Sequence, residues 1–268
     1  MLSRFTVSAI PTALLCVCST ALAADIKPLP QAHAHNDYLH DRPLLDALEN
    51  GFCSVEADIF LVDGELLVAH TRRELSPDRT LRGLYLEPLH QRLKKNNGRV
   101  HADEPDFTLL IDIKNNGPET WRQLNQMLSE YKDMFSSVKD GEFHSGAVHV
   151  VVSGDRAWDV IAATSPRFAG VDGRISDFGG DHPVHLMPLV SDNWRRHFRW
   201  RGKGDFPEAE RTKLKQLVQQ AHDENRRLRF WASPDTPEMW QELNAAGADL
   251  INTDDLPGLS QFLRNDTQ

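Results

Sequence analysis

Residues 55–59 read VEADI, so apolar and acidic side chains alternate with a period of two. In a β-strand, residues i and i+2 point to the same face, which places Glu56 and Asp58 together and the apolar residues opposite them. Residues 109–114 read LLIDIK and pair Asp112 with Lys114 by the same rule. Both stretches therefore predict buried strands that carry charged groups at their C-terminal ends.

Around these two stretches, short apolar runs alternate with longer helix-like segments. A tight turn at Gly64 predicts that residues 56–70 fold back as a hairpin-like extension. Eight strands in βα alternation predict a single α/β domain, a (β/α)8 barrel. The alternative is a doubly wound open sheet, but the Gly-rich loop that it needs after the first strand is absent from the sequence. We predict strands at 31–35, 52–60, 107–114, 148–153, 169–174, 186–191, 228–233 and 249–254, and helices at 41–50, 88–97, 118–139, 155–163, 207–225 and 236–246.

The N-terminal segment has the layout of a secretory signal peptide. Arg4 precedes an apolar run over 9–17, and Ala-Leu-Ala at 21–23 closes it, which predicts cleavage after Ala23. A transmembrane anchor is disfavoured because the run is short and contains Pro11. We therefore predict a secreted or periplasmic protein, with residues 1–23 removed and residues 24–268 forming one barrel domain.

Charge limits the classes of binding partner, and cysteine content limits the disulfides that the chain can form. The chain has 30 basic and 39 acidic residues, a net charge of −9, which disfavours a broad surface for nucleic acid or anionic membrane. Two of the three cysteines, Cys16 and Cys18, lie in the signal segment, so Cys53 alone remains and no internal disulfide is expected. Residues 194–201, WRRHFRWR, form the one basic stretch interleaved with aromatic residues. We predict at most transient membrane-surface contact there, with a solvated loop as the alternative, and no pattern marks an obligate protein partner.

Carboxylates at strand ends indicate a metal. Glu56, Asp58 and Asp112 end neighbouring strands at the C-terminal face, where characterised barrel enzymes have their active sites. Buried carboxylates at close range need a cation, and oxygen ligands suit Mg²⁺ or Ca²⁺. Asn36 offers a further, neutral oxygen. The sequence therefore predicts one divalent cation.

The order of the polar residues resembles a known superfamily. His35-Asn36, Glu56-x-Asp58, His70 and Asp112-x-Lys114 follow the order found in phospholipase C-like phosphodiesterases, which include glycerophosphodiester phosphodiesterases and phosphatidylinositol phospholipases C. The strings HAHNDY at 33–38 and LRFWA at 228–232 look closest to the subgroup related to the altered-inheritance-of-mitochondria protein. The resemblance implies a TIM barrel and a metal-dependent phosphoric diester hydrolase for a glycerophosphodiester or phospholipid-type substrate.

Roles carry over from the resemblance position by position. It implies that His35 and His70 are the general acid and base, and that Lys114 contacts the phosphate. The inward-facing Trp231, for which a core role is the equal alternative, and Asn252, which positions the substrate or a metal ligand, are further predicted substrate contacts. The implied metal ligands are Glu56, Asp58, Asp112 and Asn36.

Two departures from the superfamily's pattern bear on which metal ion is expected. Asn36 stands where glycerophosphodiesterases have Arg, and in the phospholipase C branch an Asn at that position ligates calcium. Asp112 replaces Glu, as in sphingomyelinases D, which are associated with Mg²⁺. We favour Mg²⁺, with Ca²⁺ as the alternative.

Two other functions fit parts of the pattern. His33-x-His35 also opens the first strand of zinc amidohydrolases, but their later histidine positions hold Ser153, Arg174 and Ser191 here. A non-catalytic barrel that binds phospho-ligands is the second alternative. The presence of both histidines and all three carboxylates argues against it.

Overall fold

A computed structural model describes residues 26–101 and 106–266. The predicted signal peptide, with Cys16 and Cys18, lies outside the described residues and stays a prediction. Within the described ranges, no helix has both the length and the apolar character needed to cross a membrane. Cys53 is buried, as expected for a core residue.

Strands and helices alternate along the described chain. The strands are β1 (Leu29–Ala34), β2 (Phe52–Val62), β3 (Glu65–Val68), β4 (Phe107–Ile113), β5 (Ser137–Lys139), β6 (Glu142–His144), β7 (Val148–Gly154), β8 (Ala169–Gly173), β9 (Leu189–Asn193), β10 (Arg227–Trp231) and β11 (Ile251–Thr253). The helices are α1 (Leu45–Glu49), α2 (Glu87–Lys95), α3 (Gly117–Ser129), α4 (Trp158–Ala162), α5 (Trp194–His197), α6 (Glu208–Asp223), α7 (Pro237–Ala246) and α8 (Leu256–Asp266).

Eight of the strands form a nearly closed parallel barrel. Their order is β10-β9-β8-β7-β4-β2-β1-β11, and every pairing along that path is parallel. A parallel bridge between Arg229 and Leu250 brings β10 to β11. The predicted (β/α)8 barrel is confirmed.

The period-two pattern divides each strand between two environments. On β4, Leu109 and Ile111 belong to the large core between the strands and the helices, whereas Leu110 belongs to a small cluster with Val151 of β7, Leu189 of β9 and Leu250. The small cluster fills the barrel interior, as the alternation requires. On each of these strands, the next inward-facing residue lies at the C-terminal end of the barrel, where the polar side chains are clustered.

The predicted fold-back extension is a β-hairpin. β2 pairs antiparallel with β3, and the turn consists of Asp63 and Gly64, whose φ angles are 48° and 85°. Two successive positive φ angles are typical of a type I′ turn, which matches the strand twist. The hairpin returns the chain to the barrel rim, and His70 follows β3 there.

The predicted helix 118–139 is too long. α3 ends at Ser129, and residues 137–144 form a second hairpin, β5–β6, with Asp140-Gly141 in its turn. The apolar spacing continues through Met134 and Phe135, but Phe135 bridges to Val148 at the start of β7. Strand pairing therefore prevails over helical periodicity.

The aromatic residues of 194–201 are not available for membrane contact. The rings of Trp194, Phe198 and Trp200 are buried. Trp194 stacks on Phe198 with ring centres 4.1 Å apart and meets Phe230 edge-on. The stretch is anchored in the core because Trp194 and Phe198 pack against Phe230 of β10, while its arginine side chains are exposed. The predicted membrane-surface contact stays a prediction.

Candidate functional site

A cavity of about 350 Å³ opens at the C-terminal end of the barrel. Eight of the nine predicted site residues line it; Asn252 does not. Ser153, Gly154, Arg174 and Arg229 complete the lining. The cavity therefore brings together residues from both ends of the described chain.

Three carboxylates form the floor of this cavity. Oxygen atoms of Glu56, Asp58 and Asp112 lie within 4.8 Å of one another. Asp58 and Asp112 are direct neighbours in the β2–β4 ladder, and Glu56 is the previous inward-facing residue of β2. Among the described residues, this is the one group of three or more His, Cys, Asp or Glu side chains that is compact enough to hold a metal.

Two basic side chains offset part of this charge. Lys114 Nζ lies 2.8 Å from Asp58 Oδ2 and 3.1 Å from Asp112 Oδ1, and Arg229 Nη2 lies 2.6 Å from Glu56 Oε2. Burial nevertheless raises the pKa of Asp112 to about 6, and burial together with Glu56 raises that of Asp58. The pKa of Glu56 is lowered instead, because Arg229 and His33 outweigh the effect of its burial. The negative charge is only partly compensated by the protein.

The site fits a divalent cation. Asp58 is 1% exposed, and its Oδ1 atom has no hydrogen-bond partner in the described part of the chain. A buried, unpartnered carboxylate oxygen is costly unless a cation or donor reaches it. Three hard oxygen donors match the preference of Mg²⁺ or Ca²⁺ rather than that of zinc.

His35 lies at one side of the carboxylates, directly after β1. Its Nδ1 atom is 2.9 Å from Asp254 Oδ1 and 2.9 Å from Asn36 Nδ2. Burial lowers the pKa of His35, but the hydrogen bond to Asp254 and the charge of Glu56 outweigh it, so the pKa is raised overall. Asp254 follows β11, and its contact with His35 was not predicted from the sequence.

His70 lies beside Asp58 with 54% of its side chain exposed. Its Nδ1 atom is 3.1 Å from Asp58 Oδ2 and 2.9 Å from the hydroxyl of Tyr38. The Nδ1 atom of the ring is thereby held against the carboxylates, and only Nε2 remains for other contacts.

Tyr38 connects the two sides of the site. Its hydroxyl is 2.6 Å from Asp58 Oδ2, 2.7 Å from Asn36 Oδ1 and 2.9 Å from His70 Nδ1, and its ring is 1% exposed. Asn36 has a left-handed backbone, φ 50°, which turns the chain so that Tyr38 folds beneath it. The Asn36 amide is thus held by hydrogen bonds to Tyr38, His35 and Asp254.

A second polar network holds Arg174 at the cavity wall. Its Nη1 donates to Asp172 Oδ2 over 2.8 Å, and the same oxygen accepts from Ser153 Oγ at 2.7 Å and Ser191 Oγ at 2.6 Å. Asp172 is fully buried. Residues at these strand ends therefore orient an arginine towards the cavity. They do not supply the histidine metal ligands that the amidohydrolase alternative needs there.

Arg229 and Asn252 support the cluster from below. Arg229 Nε donates to Asn252 Oδ1 over 2.8 Å while its Nη2 holds Glu56. Asn252 is 8% exposed and lies outside the cavity lining. In the structure Asn252 holds Arg229, and its predicted substrate contact stays a prediction.

His33 is not placed to bind zinc with His35. Its Nδ1 lies 2.7 Å from Ser54 Oγ and its Nε2 lies 3.2 Å from Glu56 Oε2, so both ring nitrogens are engaged. Burial, reinforced by Arg229, lowers the pKa of His33 to about 3, and the imidazole is neutral. The amidohydrolase alternative loses its histidine pair.

Comparison with known proteins agrees with this architecture. The model of the AIM6-like phosphodiesterase domain matches residues 20–169, more than half of the chain. The chain belongs to this family. The model of the glycerophosphoryl diester phosphodiesterase family also matches residues 227–257 of the chain.

Curated relatives and solved structures extend the comparison. Altered inheritance of mitochondria protein 6 of Eremothecium gossypii is 32% identical over 277 residues, covering 90% of this chain and 71% of the relative. The homolog from Arthroderma benhamiae is 27% identical, covering 88% of this chain and 84% of the relative. The solved structure of a glycerophosphodiester phosphodiesterase from Parabacteroides distasonis has a TM-score of 0.53 at 16% identity, covering 90% of this chain and 100% of that one. A calcium-dependent phosphoinositol-specific phospholipase C from Pseudomonas has a TM-score of 0.53 at 10% identity, covering 88% and 93%. These two structures share the fold.

Gly154 sets the position of Asp112. It has a φ of 72°, and a Cβ atom there would lie 2.3 Å from Asp112 Oδ1. We expect Gly154→Ala to displace Asp112 and weaken Mg²⁺ binding by about tenfold or more, as measured by calorimetric titration. Gly141→Ala is the matched control, since its φ is 84° and nothing lies within 4 Å of the added methyl. Equal Mg²⁺ affinity in both variants would contradict the ligand role of Asp112.

The neutral His33 predicts a pH-dependent stability. Between its ordinary pKa of 6.5 and its folded pKa of about 3, the unfolded chain binds a proton that the folded protein does not. The free energy of unfolding therefore falls as the pH decreases below 6.5, by up to about 1.4 kcal/mol per pH unit. Urea unfolding at pH 7.5 and 5.0 should show a larger loss for the wild type than for His33→Gln, which cannot titrate. An identical loss in both proteins would exclude a neutral buried His33.

Proposed function

We propose that this protein is a divalent-metal-dependent phosphodiesterase that hydrolyses a glycerophosphodiester or a phospholipid headgroup with His35 and His70 as acid and base. The observation that carries the proposal is the arrangement of Glu56, Asp58 and Asp112 between these two histidines in one cavity. Family membership and the shared fold support the reaction class.

The metal would be held by the three carboxylates. Mg²⁺ is favoured, because it binds through a few carboxylates and keeps several waters, whereas Ca²⁺ takes six to eight oxygen ligands. When bound, the ion neutralises charge on the phosphoryl oxygens and orients them. Asn36 is the proposed fourth oxygen, once its amide is released from Tyr38.

The two histidines differ in their partners, which suggests their roles. Asp254, the partner of His35, is not part of the carboxylate cluster, so its full charge favours a protonated His35. The partner of His70 is Asp58, whose charge is shared with Lys114. We therefore assign His35 as the acid that protonates the leaving oxygen and His70 as the base that receives a proton from the attacking hydroxyl.

The cavity also has the charges that a phosphodiester needs. Lys114 and Arg174 line it from neighbouring parts of the barrel and are both partly exposed. Arg174 compensates for the arginine that glycerophosphodiesterases have at the position of Asn36. Trp231, on the same wall, offers a flat apolar surface for the alcohol part of the substrate. The cavity volume is in the range of small-molecule sites, about 300–1,000 Å³.

Phosphorus NMR tests the reaction. The purified protein is mixed with glycerophosphocholine, glycerophosphoethanolamine, lysophosphatidylcholine and phosphatidylinositol, first in chelator and then with Mg²⁺ or Ca²⁺ restored. We expect monoester or cyclic-phosphate signals that depend on metal. His35→Ala and His70→Ala should each lower turnover by about a hundredfold or more.

His144→Ala is the matched control, because His144 is exposed on β6, far from the carboxylates. It should retain the wild-type rate. A rate for His35→Ala or His70→Ala equal to that of His144→Ala would remove the residue from the acid–base pair. Turnover that persists in chelator would contradict the metal requirement.

A further inference from the structure

A second cavity, of about 520 Å³, lies at the opposite end of the barrel from the carboxylates. It is bounded by the N-terminal parts of β7, β8 and β10 and by the β5–β6 hairpin. Its volume is within the range of small-molecule sites. None of its lining residues belongs to the catalytic cavity.

The rim of this cavity is apolar and exposed. Phe143 is 48% exposed and Val184 is 41% exposed, and both line it. Among the described residues only two other large hydrophobic side chains, Leu39 and Leu45, are comparably exposed. Half of the exposed large hydrophobic side chains in the described ranges therefore surround one opening, which is typical of a ligand site.

A buried arginine without a counter-charge lies in the cavity wall. Arg167 is 3% exposed, and its Nη2 donates to His185 Nδ1 over 2.8 Å. Its Nη1 atom is buried and has no hydrogen-bond partner within the described ranges. No carboxylate of those ranges forms an ion pair with it, so its charge is desolvated without compensation.

The other charged groups of the wall leave the cavity cationic. Arg227 also lines it and donates from Nη2 to Thr108 Oγ1 over 3.0 Å. Among the described residues, the one acidic residue of the lining is Asp106, which is 72% exposed and pairs with His149 at 3.2 Å. The described lining residues that meet a ligand between the apolar rim and Arg167 therefore carry a net positive charge.

We propose that this cavity binds a small organic anion, a monocarboxylate with an alkyl or aromatic body. The carboxylate supplies the counter-charge that the buried Arg167 lacks, and the partly exposed Arg227 of the same lining offers it hydrogen bonds. The apolar body lies along Phe143 and Val184. The class of ligand differs from the phosphodiester of the catalytic site in both its charge-bearing group and the residues that hold it.

Calorimetric titration of the full chain in chelator tests the site with octanoate as the probe. Octanol has the same tail without the charge, and acetate has the charge without the tail. We expect one octanoate to bind per chain, with octanol and acetate at least tenfold weaker. Absence of octanoate binding to the folded protein would overturn the proposal, and so would octanol binding as tightly as octanoate.

Two sets of variants locate the binding. Arg167→Met keeps the volume of the side chain and removes its charge, and we expect it to weaken octanoate binding at least tenfold. Phe143→Ser and Val184→Ser change only the exposed rim. We expect both to weaken octanoate binding, and they test the site even if Arg167→Met fails to fold. Leu39→Ser and Leu45→Ser are the matched controls, because they remove apolar groups at least as exposed as Val184 that follow the C-terminal end of β1, away from this cavity. Equal affinity in the rim variants and the controls would place octanoate elsewhere and overturn the proposal.

Discussion

The mutual repulsion of three closely spaced carboxylates, two of them buried, is the constraint around which the C-terminal end of this barrel is arranged. Glu56, Asp58 and Asp112 come from adjacent parallel strands in a register that leaves their oxygens within 4.8 Å. Lys114 and Arg229 each hold one part of the cluster, yet one oxygen of Asp58 stays unpartnered. A further cation bound between these oxygens would lower the cost of this arrangement.

The remaining contacts of the site follow from this cluster. His70 and Tyr38 both approach Asp58 Oδ2, so the same carboxylate that would bind the metal also orients a histidine. Beneath it, His33 stays neutral so that it hydrogen-bonds Glu56 without competing with Arg229 for charge. The buried polar groups thus form one connected network, in which each side chain is fixed by a neighbour rather than by solvent.

The barrel and the carboxylate cluster were predictable from the sequence because both depend on local alternation. Strand periodicity alone places Glu56 and Asp58 on one face, and the parallel order places Asp112 beside them. Contacts made by irregular segments were not predictable. Tyr38 reaches the site only because Asn36 takes a left-handed backbone, and Asp254 meets His35 across 219 positions of sequence. The hairpin at 137–144 and the buried rings of 194–201 depend on partners in distant strands, which local patterns do not encode.

Anomalous X-ray diffraction from crystals grown with Mn²⁺, which replaces Mg²⁺ at carboxylate sites, tests the central claim most directly. We expect one strong anomalous peak within coordinating distance of Glu56, Asp58 and Asp112, next to the unpartnered oxygen of Asp58. The peak should be lost in crystals of Asp58→Asn. A crystal at saturating Mn²⁺ with no peak between these carboxylates, or with its peak at His33, would contradict it.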